Sequence, residues 1–181
     1  APQADIALAE RILGSELYQS GQFDAARPVL ARALERYRHV FGPDNLYVAL
    51  VLGHQADLES AAGDASLADR LYAEALPMKE RYLDPDSPEV SYTLQRAGHH
   101  ARRQGRTAEA DRLLARAEAN WATGRGADSQ ERRLASAERA LARYALGDRE
   151  AAADTLEAIW DRRDRTPGRS LAVLQLLVSE L

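Results

Sequence analysis

The sequence predicts an all-α protein built from repeated helical hairpins, and three observations carry that prediction. Gly21, Gly63, Gly105 and Gly147 stand 42 residues apart, with no gap between successive copies. On both sides of each glycine, apolar residues recur at helical spacing, as with Ile6, Leu8, Leu13 and Leu17 before Gly21 and Phe23, Ala26, Leu30, Ala33 and Leu34 after it. No stretch shows the alternation expected of a strand.

The columns around the glycines repeat as well. Gly14, Ala56, Gly98 and Ala140 lie seven before each glycine, Ala26, Ala68, Ala110 and Ala152 five after, and Leu30, Tyr72, Leu114 and Leu156 nine after. Small residues recur where two helices cross closely, and large apolar ones where a core has to be filled. The glycine between them suits the end of a helix, where positive φ is needed. Each unit therefore reads as two helices and a tight turn. The segments "FGPDNLYVA" from Phe41, "LDPDSPEVS" from Leu83 and "RGADSQERR" from Arg125 keep the same offset and read as loops that feed the next helix. Asp44, Asp86 or Ser87, and Asp128 or Ser129 are the candidate N-caps. Pro88 suits a first helical position, and Glu131 completes a capping-box pattern with Asp128. The predicted helices run near 4–20, 23–40, 45–62, 65–82, 88–104, 107–122, 129–146 and 148–163, with a ninth near 169–181. They group into units near 4–44, 45–86, 87–128 and 129–165 within one domain spanning 1–181.

Composition limits the function classes. The 181 residues are 45% hydrophobic and 29% charged, an ordinary globular balance. The 24 basic and 28 acidic residues are interspersed, so no broad cationic field is present and nucleic acid is not an expected partner. All but one of the basic residues are arginine, a bias of GC-rich coding that points to a bacterial source rather than to a function. No apolar run reaches the length of a membrane span, so membrane insertion is not expected. The run "LAVLQLLVSEL" from Leu171 reads instead as a last helix, with an apolar face of Leu171, Val173, Leu174, Leu177, Val178 and Leu181 that is a candidate for self-association. The opening "APQAD" resembles a mature exported protein cut after small residues, and equally an excised domain; export is the favoured expectation.

Catalytic and metal signals are missing. There is no cysteine, no G-x-S-x-G elbow, no phosphate-cradling glycine loop and no HExxH pair. His99 and His100 are adjacent on a helix, so their side chains diverge by about 100° and cannot close on one ion. They are expected on an exposed or groove-lining face. Neither a cofactor, a metal nor an enzymatic activity is predicted.

These columns reproduce the pattern of the tetratricopeptide repeat, with a small residue, the turn glycine, an alanine, and a small or apolar residue at Ala33, Ala75, Ala117 and Ile159. The period and the "GPDN" and "DPDSP" linkers resemble the longer kinesin-light-chain type of repeat, rather than the usual unit of about 34 residues. The resemblance implies a right-handed α-solenoid of about four hairpins plus a C-terminal helix, whose first helices line a concave groove. The groove columns would hold Arg11, Ser15, Tyr18 and Gln19 in the first unit, Asp57 in the second, Tyr92, Gln95, His99, Arg102 and Arg103 in the third, and Tyr144 in the fourth. Rings and arginines are the mixture enriched at interface hot spots. The rival reading is that Tyr18 and Tyr144 merely cover hairpin junctions, and that Arg102 and Arg103 are a solvated face paired with Glu109 and Asp111.

The match is uneven. A column that usually carries leucine holds Leu13, then Gln55, Ala97 and Arg139; another holds Leu17, then Glu59, Ala101 and Arg143. The asparagine pair that reaches a peptide backbone in the family is replaced by Arg11-Ile12, Gly53-His54, Gln95-Arg96 and Ala137-Glu138, so that binding mode does not carry over. A carboxylate clamp is not expected either, since Ser15 replaces asparagine and Asp57 adds a repelling charge. The resemblance implies a non-catalytic scaffold for a protein or peptide partner. The alternative is a regulatory or oligomerising segment of a larger multidomain bacterial protein.

Overall fold

The computed structural model describes residues 2–126 and 128–161. Among these residues there are eight helices and no strand: α1 (Pro2–Gln19), α2 (Phe23–Phe41), α3 (Leu46–Ala62), α4 (Ala65–Tyr82), α5 (Pro88–Arg103), α6 (Thr107–Gly124), α7 (Gln130–Ala145) and α8 (Arg149–Asp161). The bounds depart from the sequence expectation by a residue or two at most ends. The ninth helix predicted near 169–181 lies outside the described residues. Packing divides the chain into two compact units between Asp84 and Pro85. The first holds α1 to α4 and the second α5 to α8.

Within each unit, neighbours in sequence are neighbours in space. The helix α1 packs on α2, α3 on both α2 and α4, α6 on both α5 and α7, and α8 on α7. The four turn glycines all adopt positive φ, between 72° and 98°. This is the left-handed region in which a side chain would clash with its own backbone. Gly42 and Gly126, at φ 84° and 95°, do the same between hairpins, so the linkers carry a second glycine column with Asp84 in the intervening copy.

The small-residue column is where the two helices of a hairpin cross. A Cβ on Gly14 would lie 2.6 Å from Leu30 Cγ, and one on Gly98 would lie 2.7 Å from Leu114 Cγ. Leu30 and Leu114 are the large residues of the repeat nine positions past the turn, and both are fully buried. The periodic pair is therefore a knob and its socket. In the first unit the core continues through Ala26, Ala33, Leu34, Tyr37, Val48, Leu52, Leu58 and Met78. Tyr37 stacks on Tyr47 at 5.1 Å, and Tyr47 on Phe41 at 5.0 Å, closing the α2–α3 corner. The second unit buries Val90, Leu94, Leu114, Trp121 and many alanines.

The capping differs from expectation at two starts. Asn45, not Asp44, caps α3, its side chain accepting from Val48 N at 3.0 Å. Asp44 instead accepts from Arg81 Nη2 at 2.6 Å, tying the linker to the end of α4. Ser87 caps α5 with Pro88 behind it in the first turn. Ser129 caps α7, which shifts the register so that Arg132 and not Glu131 occupies the third position. The expected Asp128–Glu131 box is not formed.

The irregular columns also acquire a cause. Glu59, where leucine is usual, is buried and accepts both Arg27 Nε and Nη2 at 2.9 Å, joining α3 to α2. Arg139, where leucine is usual, donates to Asp111 at 2.9 Å and to Glu118 at 3.2 Å on α6. Arg132 adds a bond to Glu118 at 3.3 Å. Successive hairpins within a unit are thus joined by ion pairs at positions where the usual repeat has an apolar contact. In the corresponding columns of α1, Leu13 is exposed and Leu17 is half-buried.

Gly98→Val is expected to lower unfolding stability by about 2 kcal/mol, because a branched side chain cannot enter a closed crossing without moving Leu114. Urea titration of this variant, alone and combined with Leu114→Ala, measures it: the double variant should recover part of the loss by emptying the space that the valine needs.

Candidate functional site

In the first unit the expected groove residues have partners within the unit. Arg11 on α1 donates through Nη1 to His54 Nε2 on α3 at 3.3 Å, so the two first helices meet through a polar contact. Gln19 donates to Ser15 Oγ one turn away at 3.1 Å. Asp57 accepts from the Tyr72 hydroxyl at 2.8 Å inside its own hairpin. It is thus a structural partner of α4 and not a free repelling charge. Tyr18 packs beside Phe23 at 6.4 Å and joins the core, so its ring covers the hairpin junction. Its counterpart Tyr144 is exposed at the α7–α8 junction, with the Arg149 guanidinium 5.5 Å from its ring centre.

The second unit is different. Its α5 brings Tyr92, Gln95 and His99 together along one face, and α7 brings Gln130, Glu131, Leu134 and Glu138 against them. With Arg96 these residues line an open pocket of about 330 Å³. Periodicity explains the set, since residues three, four and seven apart share a helix face. Tyr92 is held from below, its ring edge-on to Trp121 at 4.7 Å. Trp121 is fully buried and donates from Nε1 to Gln95 Oε1 at 3.2 Å, which orients the Gln95 amide toward Glu138.

Glu138 is the unusual member. It retains only 6% of its surface, and its Oε2 has no hydrogen-bond partner. His99 Nδ1 stands 3.9 Å from Oε1. Burial pushes the carboxyl up to about 7, against the opposing pull of Arg102, Arg96 and the Gln95 hydrogen bond. A carboxylate on the wall of a groove is therefore half protonated near neutrality.

The basic stretch of α5 separates into distinct roles. Arg102 is half-buried and acts on Glu138, Arg103 is exposed, and Arg106 pairs with Glu109 at 3.0 Å. Asp111, expected to neutralise this stretch, belongs to Arg139 instead. His99 lines the pocket, whereas His100 is 2% exposed and sits inside, which corrects the expectation of two surface histidines. The 100° step between adjacent residues sends one ring outward and the next into the core. Of the groove residues expected from sequence, Tyr92, Gln95 and His99 line this pocket; Arg96, Gln130, Glu131, Leu134 and Glu138 complete it and had not been singled out as site residues. One signal was available: Ile12, His54, Arg96 and Glu138 share a column, and the last two reverse its charge. Among the described residues, no group of three or more histidines and acids could hold a metal ion, and no helix is long and apolar enough to cross a membrane.

The Glu138 carboxyl makes stability depend on pH with a definite sign. Its folded value lies above its usual one, so the folded state holds the proton more tightly. The contribution is present below about pH 4.5 and is lost as pH rises through about 7. Relative to Glu138→Gln, the protein should lose up to about 3 kcal/mol between pH 5 and pH 8, as the order-of-magnitude conversion of the shift implies. Chemical denaturation of both proteins across that range checks the difference, and a parallel pH dependence in the two would contradict the assignment.

The family model described as Tetratricopeptide repeat matches residues 5–81. A search of curated protein sequences finds no match. Among solved structures, the nearly identical TPR-like repeats of a protein described as a kinesin light chain from Podosopora anserina superpose with TM-score 0.79 at 18% identity, covering 94% of this chain and 82% of that one. BtubC (BKLC) from P. vanneervenii gives TM-score 0.79 at 16% identity, over 92% of this chain and 66% of that one. Pseudomonas aeruginosa pilF gives 0.69 at 21%, over 99% and 71%. At these identities the likeness is one of fold. Residues 5–81 therefore match the tetratricopeptide repeat by sequence, and over most of its length the chain has the all-α fold of the kinesin-light-chain-like repeats.

Proposed function

We propose that this chain is a non-catalytic docking module whose second unit binds a peptide of a partner protein, with the α5–α7 pocket as the contact point. Tetratricopeptide repeats in general mediate protein–protein interaction and serve as scaffolds rather than catalysts. The observation that carries the finer reading is the pocket itself: Tyr92 and Leu134 offer apolar wall, while Gln95, Arg96, His99, Gln130, Glu131 and Glu138 converge as donors and acceptors. A few well-placed polar groups on an apolar wall is the usual make-up of a recognition site. The ring of Tyr92 is half exposed yet anchored by Trp121, so it can be covered by a ligand at little entropic cost. Arg102, Arg103 and Tyr144 extend this face in the proposal, whereas Arg11, Ser15, Tyr18, Gln19 and Asp57, which have partners within the first unit, take no part in it.

A second reading, a segment that assembles with another chain, rests on α1. Ile6, Leu8, Ile12 and Leu13 are exposed on its outer side. Val48, which shares the column of Ile6 one repeat later, is fully buried in the cluster that contains Leu34 and Tyr37 of α2. The outer side of α1 thus has the shape that elsewhere in this chain receives a helix, and we assign it to a second copy. The predicted C-terminal apolar helix, the other candidate for self-association, lies outside the described residues. If the reading holds, light scattering should give a mass that rises with concentration, and Ile6→Glu with Leu13→Glu should return it to that of one chain.

Selection of a displayed peptide library against the protein tests the first reading. Enriched peptides should bind Tyr92→Ala at least about tenfold more weakly, the loss typical of a hot-spot ring. They should be indifferent to Ala73→Ser on the exposed side of α4. Far-UV circular dichroism of Tyr92→Ala separates lost contact from lost fold. A library that yields only binders indifferent to Tyr92, Arg96 and His99 would exclude this pocket.

A further inference from the structure

Resting on that reading, the chemistry of the pocket selects what enters it. Glu138 is nine-tenths buried, lines the cavity, and has one oxygen, itself covered, with no donor. A buried acceptor left unmade is costly, and a ligand that supplies the donor recovers that cost. Glu131 lies on the same face of α7, two turns earlier, so two carboxylates line one wall. Between them Leu134 offers aliphatic surface, and the Tyr92 ring stands on the opposite helix. The charges that act on Glu138 come from α5, where Arg102 and Arg96 oppose its protonation and His99 lies 3.9 Å away. On α6 the nearby acids Asp111 and Glu118 are taken by Arg139 and Arg132. The α8 residue Arg149 lies over Tyr144, and Asp148, just ahead of α8, pairs with Arg143. Neither is directed at the pocket.

We propose that the α5–α7 pocket takes a lysine side chain of the partner peptide, its ammonium donating to Glu138 Oε2 and its methylenes lying between the Tyr92 ring and Leu134. Three alternatives fit less well. An acidic side chain would meet two carboxylates. A guanidinium gains most from two coplanar acceptors, whereas Glu138 leaves one oxygen without a donor. An apolar side chain would leave that oxygen as it is. An ammonium is compact, turns its three donors freely, and is attracted to the face of a tyrosine ring.

The consequence is binding that tightens as the solution becomes more alkaline. The ammonium needs the ionised carboxylate, and Glu138 ionises near pH 7, so affinity should rise about tenfold from pH 6 to pH 8. The probes are three capped peptides, Gly-Gly-X-Gly-Gly, with lysine, norleucine or glutamate at X. The readout is the indole N–H resonance of Trp121, which senses the pocket through Gln95, with Trp160→Phe used to assign it. Saturable shifts are expected with the lysine peptide, tightening about tenfold over that pH range, and little with norleucine. Glu138→Gln should weaken the lysine peptide and abolish the pH slope; Glu131→Gln should weaken it while the slope remains. A stronger response to glutamate, or affinity that rises as pH falls, would overturn the lysine assignment and leave peptide docking in place. Absence of any response to lysine would overturn it too, and the library selection then decides separately whether this surface binds peptides.

Discussion

The structure depends on one repeated crossing, in which a small residue of the first helix lets a large residue of the second reach the helix axis. Gly14 against Leu30 and Gly98 against Leu114 leave no room for even a Cβ. That closeness sets how deeply the two helices of a hairpin interlock, and hence which residues of the first helix are turned outward. The turn glycine performs a different task, since its positive φ reverses the chain so that the crossing can form at all. The 42-residue ruler is the trace of both requirements: the same turn and the same crossing have to recur for each hairpin.

Hairpins are joined to one another on different terms. In the first unit Tyr37, Val48 and Leu52 form an apolar seam supplemented by Arg27 and Glu59. In the second, alanine-rich helices leave less apolar area, and Arg139 with Arg132 bridges to Asp111 and Glu118. Charged side chains at such joints cost desolvation, and bidentate or branched pairing offsets part of that cost. Selecting one partner geometry also suits a repeat protein, whose near-identical surfaces could otherwise pack out of register. Part of what reads as degeneracy of the repeat, at Glu59 and Arg139, is this substitution of apolar by ionic joints.

The second unit keeps a polar interior behind the α5–α7 pocket. Trp121, Gln95 and Glu138 form a chain from the core to the pocket wall, in which the indole fixes the amide and the amide addresses the carboxylate. Burial raises the carboxyl because water is withheld, while Arg96 and Arg102 hold it from rising further. The pocket is thus charged in a graded manner near neutral pH. The second unit can thus respond to its surroundings through one such group.

The sequence by itself determined the elements. Periodic glycines, small-residue columns and helical apolar spacing depend only on local conformation and on contacts within a hairpin, so eight helices and their order were legible without coordinates. Tetratricopeptide architecture followed from the same columns. The tertiary structure alone decided which polar residues meet. His100 turned inward beside an outward His99, Glu59 held by Arg27, and Glu138 brought to Gln95 all depend on the rotation of one helix against another. That rotation is set by the closeness of each crossing, summed over side chains distant in sequence. Tyr18 shows the limit clearly: its position predicted a place on the groove or a cover over the hairpin turn, and only packing against Phe23 chose between them.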